Sequence, residues 1–272
     1  MQSVRPGILG WLLAAWLVGR TAPGHAQELL ELRLSGGPHA PADAPDVIVH
    51  VPRRLDPRAP VHWLIFLHGF NSCTRALVAS EATPCEQGGP AHRGYGLAAL
   101  HEQAHSNTLL IVPQLAFLAR DSHAPRFEQP GGFARFVAEL RAQLRARPGG
   151  ERAPASISLL AHSAGYRAAA EILLDGESSA IEVRNVVLFD ALYAHWDVFA
   201  HWLGAAAGRH LISLHTHSSD TTQGNRKLAA LASGGKRGSA VPGLTIERVD
   251  TPHRAVPERH LLAVLEELFP AR

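Results

Sequence analysis

Apolar positions in this chain follow two periods. Short runs dominated by Val, Ile and Leu occupy residues 29–34, 47–51, 61–67, 108–112, 156–160, 183–189, 210–214 and 244–249, and each reads as a strand. Between the later runs the period lengthens to that of a helix, over 95–105, 133–147, 164–174, 197–206, 222–232 and 257–268. In 133–147, Phe133, Phe136, Val137, Leu140 and Leu144 fall on one helical face. Strands that alternate with helices of this length predict an α/β architecture, a mostly parallel sheet with helices on both faces. No helical pattern separates the first two runs, so the sheet is expected to open with an antiparallel pair.

The chain has 272 residues, 46% hydrophobic and 18% charged, which excludes a disordered chain. Residues 1–26 read as a secretory signal peptide: Arg5 supplies the positive charge, 8–19 is apolar, and Gly24, His25 and Ala26 precede the expected cleavage. Twelve apolar residues are too few for a span, which needs about 20. The remainder, 27–272, is expected to form one domain with no stable membrane insertion, exported to the periplasm or secreted, and monomeric. The formal charge of +2 belongs to the leader, since Arg5 and Arg20 are its only charged side chains; without them 24 basic residues face 24 acidic ones. With no basic run either, no nucleic-acid partner is expected. Cys73 and Cys85 share one loop-like stretch, and in an exported protein a disulfide between them is the default, stabilising by about 3 kcal/mol in the chain-entropy model.

Residues 156–165 (SISLLAHSAG) carry an alternating strand into Ala161-His162-Ser163-Ala164-Gly165 and then into helix formers. This is the form of a nucleophile elbow with Ala161 in place of the first glycine. Small residues flank Ser163 because the strand-to-helix turn is crowded, and the following helix points its positive end at the hydroxyl. Upstream, the run 61–67 leads into His68-Gly69-Phe70-Asn71, the strand-to-loop position of an oxyanion hole. The backbone N–H groups of Phe70 and Ala164 are its candidate donors.

On the HGFN loop, the AHSAG elbow, the strand–helix order and a late histidine, the chain resembles the α/β-hydrolase family over roughly residues 45–270. The resemblance implies an eight-stranded, mostly parallel sheet and a Ser–acid–His triad in that order. His253, in a loop after the last strand, is favoured as the base over His260, which sits within a helical pattern. For the acid, Asp190 ends a strand at the carboxyl edge of the sheet, where open α/β sheets bind ligands. Its rival Asp220 begins Asp-Thr-Thr-Gln, which reads as a capping box for the helix 222–232, so Asp190 is preferred. The implied activity is that of a serine hydrolase on carboxylic esters, small or at a polymer end, needing no metal or organic cofactor. A serine peptidase or an acyltransferase fits the same triad.

One other motif competes. His101-Glu102-Gln103-Ala104-His105 matches the zinc-peptidase pattern, but Ser106 and Asn107 end the helix at once and no third ligand follows at a recognisable spacing. No metal site is expected, and His215 and His217 read as rim residues on one side of a strand end. About 20 residues separate the strands at 189 and 210, too few for a large cap domain, and they carry Tyr193, Trp196 and Trp202. The expected site is therefore aromatic-rich and roofed by the segments 71–95 and 113–131.

Overall fold

The computed structural model describes residues 27–35, 40–121, 123–146, 153–176, 182–236 and 240–270. The leader expected at 1–26 lies outside them. Eight strands form one sheet: β1 (Glu28–Leu32), β2 (Val47–Val51), β3 (His62–Leu67), β6 (Thr108–Pro113), β7 (Ile157–His162), β8 (Val183–Phe189), β9 (His210–His215) and β10 (Leu244–Arg248), in the order β1-β2-β6-β3-β7-β8-β9-β10. The strand β2 runs antiparallel to both β1 and β6, and every pairing from β6 to β10 is parallel. The two remaining strands, β4 (Thr83–Pro84) and β5 (Ala91–His92), form a separate small ribbon.

The period-2 pattern of β3 shows how the sheet is covered. Trp63, Ile65 and Leu67 face one apolar cluster, with Phe133, Phe136 and Leu140 of α3 (Gly132–Arg145), Ala168 and Ile172 of α4 (Tyr166–Leu174), Phe199 of α5 (Trp196–Ala205) and Leu228 of α6 (Ser219–Ala232). Leu64 and Phe66 face the other, with Leu77 of α1 (Thr74–Val78), Leu97 of α2 (Leu97–Gln103), and Leu261 and Leu265 of α7 (Val256–Leu268). Helices thus cover both faces, and burial of each large side chain contributes about 1.5–3 kcal/mol. Between β8 and β9 the chain holds α5 and no cap domain. Among the described residues no helix is long and apolar enough to cross a membrane.

Three local expectations change. The segment 71–95 contains α1 and the β4–β5 ribbon rather than irregular loop. Cys73 caps α1, its sulfur accepting from the Ala76 N–H, and is bonded to Cys85, so the expected disulfide is present. The helix α6 begins at Ser219, placing Asp220 inside its first turn, where a carboxylate favours the helix dipole without capping anything. The strand β9 runs through His215, which is buried beside Thr216 and Thr222, whereas His217 is exposed, so the two do not share a rim.

Candidate active site

The strand β7 ends at His162, and Ser163 follows with φ of 53°, a left-handed conformation that is uncommon for a residue with a Cβ. Such a turn costs on the order of 1–3 kcal/mol and persists only where its surroundings enforce it. Here close packing does so. A Cβ at Gly165 would sit 2.1 Å from the Leu67 carbonyl oxygen, so only glycine lets the elbow nest against the end of β3. From the other side Gly69 lies against the serine, where an added Cβ would be 2.8 Å from the Ser163 Cβ.

The hydroxyl of Ser163 lies 2.9 Å from His253 Nε2, and His253 Nδ1 lies 2.7 Å from Asp190 Oδ2. The three side chains come from the ends of β7 and β8 and from the loop after β10, so they meet only because those strands end at the same edge of the sheet. Asp220 is exposed on α6, and His260 bonds Thr251 at 3.0 Å, tying the loop that carries His253 to α7. The structure therefore brings Asp190 and His253 to Ser163, and neither rival.

Asp190 is 1% exposed, with φ of 45°. Burial pushes its carboxyl group toward the neutral form, but hydrogen bonds from His253, from the Thr216 N–H and from the Thr221 and Thr216 hydroxyls outweigh it and hold the acid well below the usual carboxylate range. Oδ1 accepts from Thr216 N at 3.0 Å and Thr221 Oγ1 at 2.7 Å; Oδ2 accepts from Thr216 Oγ1 at 2.9 Å as well as from His253. The carboxylate is thus charged and fixed in orientation.

Two further histidines shape the site. His68 is buried: its Nδ1–H donates to the Gly69 carbonyl at 2.8 Å, and its Nε2 accepts from Gln114 Nε2 at 2.9 Å and from the Leu115 N–H at 3.0 Å. Burial lowers its pKa to about 4, so it holds the 68–71 loop as a neutral ring. His162 donates from Nε2 to the His253 carbonyl at 3.1 Å and stands 5.0 Å from the His253 ring. Burial, helped by the charge His253 can carry, lowers its pKa to about 4. Both residues stand in motifs visible in the sequence, but their roles, like those of Thr216, Thr221 and Gln114, are not visible there, because the bonds that single them out join segments distant along the chain.

Ser163 and His253 open into a cleft of about 610 Å³. The two expected roof segments meet beside it: the Asn71 N–H donates to the Ala119 carbonyl at 2.8 Å, and Phe117 and Leu118 pack against the disulfide. The aromatic lining differs from expectation. Phe70 and Tyr95 line the cleft. Trp202 packs in the core under Arg209, and Trp196 lies beneath Lys227. Tyr193 does bear on the site: burial, with Asp190 adding to it, pushes its phenol up to about 12, and the Ser163 hydroxyl opposes the shift.

The histidines of the zinc-like motif are not brought together. His101 is buried, with Nδ1 2.6 Å from His50 Nδ1 and Nε2 2.7 Å from Thr108 Oγ1. His105 lies beyond the end of α2, exposed, with φ of 50°. Among the described residues no group of three His, Cys, Asp or Glu side chains is arranged to hold a metal ion.

No protein-family model matches the chain, and no curated protein sequence matches it. Solved structures do. A ferulic acid esterase aligns over 82% of this chain and 90% of its own, with a TM-score of 0.53 at 10% identity. An S-formylglutathione hydrolase from Agrobacterium tumefaciens aligns over 91% and 97%, with a TM-score of 0.52 at 13% identity. A feruloyl esterase module from Clostridium thermocellum, complexed with sinapinate, aligns over 91% of both, with a TM-score of 0.54 at 8% identity. Identities this low speak to architecture. With its strand order and its elbow between β7 and α4, the chain has the α/β-hydrolase fold.

Proposed function

We propose that this protein is a serine hydrolase of carboxylic esters, with Ser163 as nucleophile, His253 as general base and Asp190 as the acid that orients it. The observation that carries the reading is the hydrogen-bonded row Asp190–His253–Ser163, at 2.7 and 2.9 Å, with the serine held at the mouth of a cleft. His253 Nε2 takes the Ser163 proton as Oγ attacks the acyl carbon. The backbone N–H groups of Phe70 and Ala164 receive the oxyanion, and the positive end of α4 favours the same charge. Nε2–H then protonates the departing alcohol, and a water deprotonated by His253 releases the acyl group. Asp190 keeps the Nδ1–H tautomer and offsets the charge on the imidazolium. No step needs a metal or organic cofactor.

Ester hydrolysis is preferred over peptide hydrolysis or acyl transfer because the similar structures are a ferulic acid esterase, a feruloyl esterase module and an S-formylglutathione hydrolase. The Cys73–Cys85 disulfide supports export, since such bonds persist in oxidising compartments. A fluorophosphonate probe is expected to label Ser163, located by peptide mass spectrometry, and Ser163→Ala to lower kcat on p-nitrophenyl butyrate by at least about 10³-fold. Full activity in Ser163→Ala would remove the serine mechanism; cleavage of peptides in preference to esters would move the protein to the peptidases.

A further inference from the structure

The cleft beside Ser163 is cationic. Arg93, Arg120 and Arg254 line it, and no Asp or Glu side chain does. Only Arg93 is neutralised among the described residues, by Glu258 at 2.6 Å. Arg120 and Arg254 form no ion pair with a described residue. In an otherwise balanced sequence, two uncompensated guanidinium groups on one concave surface are a local concentration of charge rather than an overall bias.

Their placement is fixed by structure already described. Arg254 follows His253 in the short turn ahead of α7. Arg120 follows Ala119, whose carbonyl accepts from the Asn71 N–H, so the strap carrying it is tied to the loop beside the nucleophile. Arg254, Arg93 and the partly buried Tyr95 line the same cleft, and the charges of both guanidinium groups act on the Tyr95 phenol, with Glu258 opposing them. Tyr95, Asn71 and Ser72 add hydroxyl and amide groups there.

Resting on the reading of Ser163 and His253 as ester-hydrolysing machinery, we infer that the substrate carries a carboxylate within reach of the scissile ester, bound by Arg254 and Arg120. A planar carboxylate suits the fork of donors on arginine, and both guanidinium groups are exposed at the cleft, free to receive it. Arg93, already engaged by Glu258, acts as a rim charge.

The monoethyl ester of adipic acid and its terminal amide differ in charge but hardly in shape, and their relative kcat/KM isolates the charge. The acid is expected to exceed the amide by at least about ten-fold, the scale of a hydrogen bond to a charged group. The ratio is expected to fall severalfold in Arg254→Gln and in Arg120→Gln, and to fall as NaCl rises from 0.05 to 0.5 M. A ratio of one or less, in protein whose Ser163 is labelled by fluorophosphonate, overturns the carboxylate proposal and leaves the hydrolase reading standing. Binding of the monoethyl ester to Ser163→Ala, measured by calorimetry, reads the arginines without turnover. Binding that Arg254→Gln weakens supports the proposal even if no ester is hydrolysed, and absence of binding overturns it. Failure to label Ser163 and to hydrolyse either ester counts against the hydrolase reading instead.

Discussion

Gly69→Ala places one methyl group between the oxyanion loop and the elbow. Its Cβ would stand 2.8 Å from the Ser163 Cβ, 3.2 Å from Oγ and 3.3 Å from the His162 carbonyl oxygen. Carbon atoms rest at about 3.5–4.0 Å, so one wall must move by roughly 0.7–1.2 Å. Neither yields freely. The elbow cannot retreat, because Gly165 already touches the end of β3, and the loop is pinned by the bonds of His68 to Gln114 and Leu115. Stability is expected to fall by about 1–3 kcal/mol, typical of overpacking, or roughly 2–12 °C in Tm for a chain of this size. Displacing the Phe70 N–H by that distance is expected to cost about 10²-fold in kcat, with little change in KM, since an oxyanion donor acts chiefly in the transition state. The assay is steady-state hydrolysis of p-nitrophenyl butyrate at a temperature where thermal melts show the variant folded. A kcat within threefold of the parent in folded protein would refute the assignment of this loop as the oxyanion hole.

Thr221→Val removes one donor from a buried carboxylate and is expected to destabilise by about 1.5–3 kcal/mol in urea unfolding; Thr221→Ser, which keeps the hydroxyl, should restore most of it, and equal losses in both would show that packing alone is at stake. His50, His68 and His162 are each held neutral, with pKa lowered to about 4. The unfolded chain therefore binds more protons between about pH 6.5 and 4, and stability is expected to fall as pH drops through that window, by at most about 3.4 kcal/mol per histidine. Equal urea midpoints at pH 7 and pH 4.5 would contradict that burial. Replacing both Cys73 and Cys85 by Ala opens a loop with a sequence separation of 12 and is expected to cost about 3 kcal/mol, read as a lowered urea midpoint.

The elements legible in advance are those whose cause is local. The eight sheet strands follow from runs such as 183–189, which must be apolar because both faces of a parallel sheet are covered. The elbow is legible because a left-handed serine between a strand and a helix calls for small residues two positions to either side, here Ala161 and Gly165. The helix α1 was not legible: five residues are too short for a helical period, and a cysteine cap with its disulfide helps to hold them. The capping-box reading of Asp220 failed because α6 begins three residues before the expected start, so the reason for preferring Asp190 was not the one that operates.

What the sequence determined by itself, then, was the α/β architecture, the turn that exposes Ser163 and the pairing of its two cysteines. Each depends on residues close in the chain, through steric limits on the backbone, the period of the apolar positions or the spacing of two thiols. Only the tertiary structure decided that Asp190 and not Asp220 lies beside His253, that Trp196 and Trp202 turn away from the cleft, and that Arg120 and Arg254 turn into it. Those outcomes depend on where separate strand ends and loops meet at one edge of the sheet. The buried charge of Asp190 is stable there because Thr216 and Thr221, on the stretch from the end of β9 into α6, and His253, after β10, converge on it from two segments distant from it in sequence.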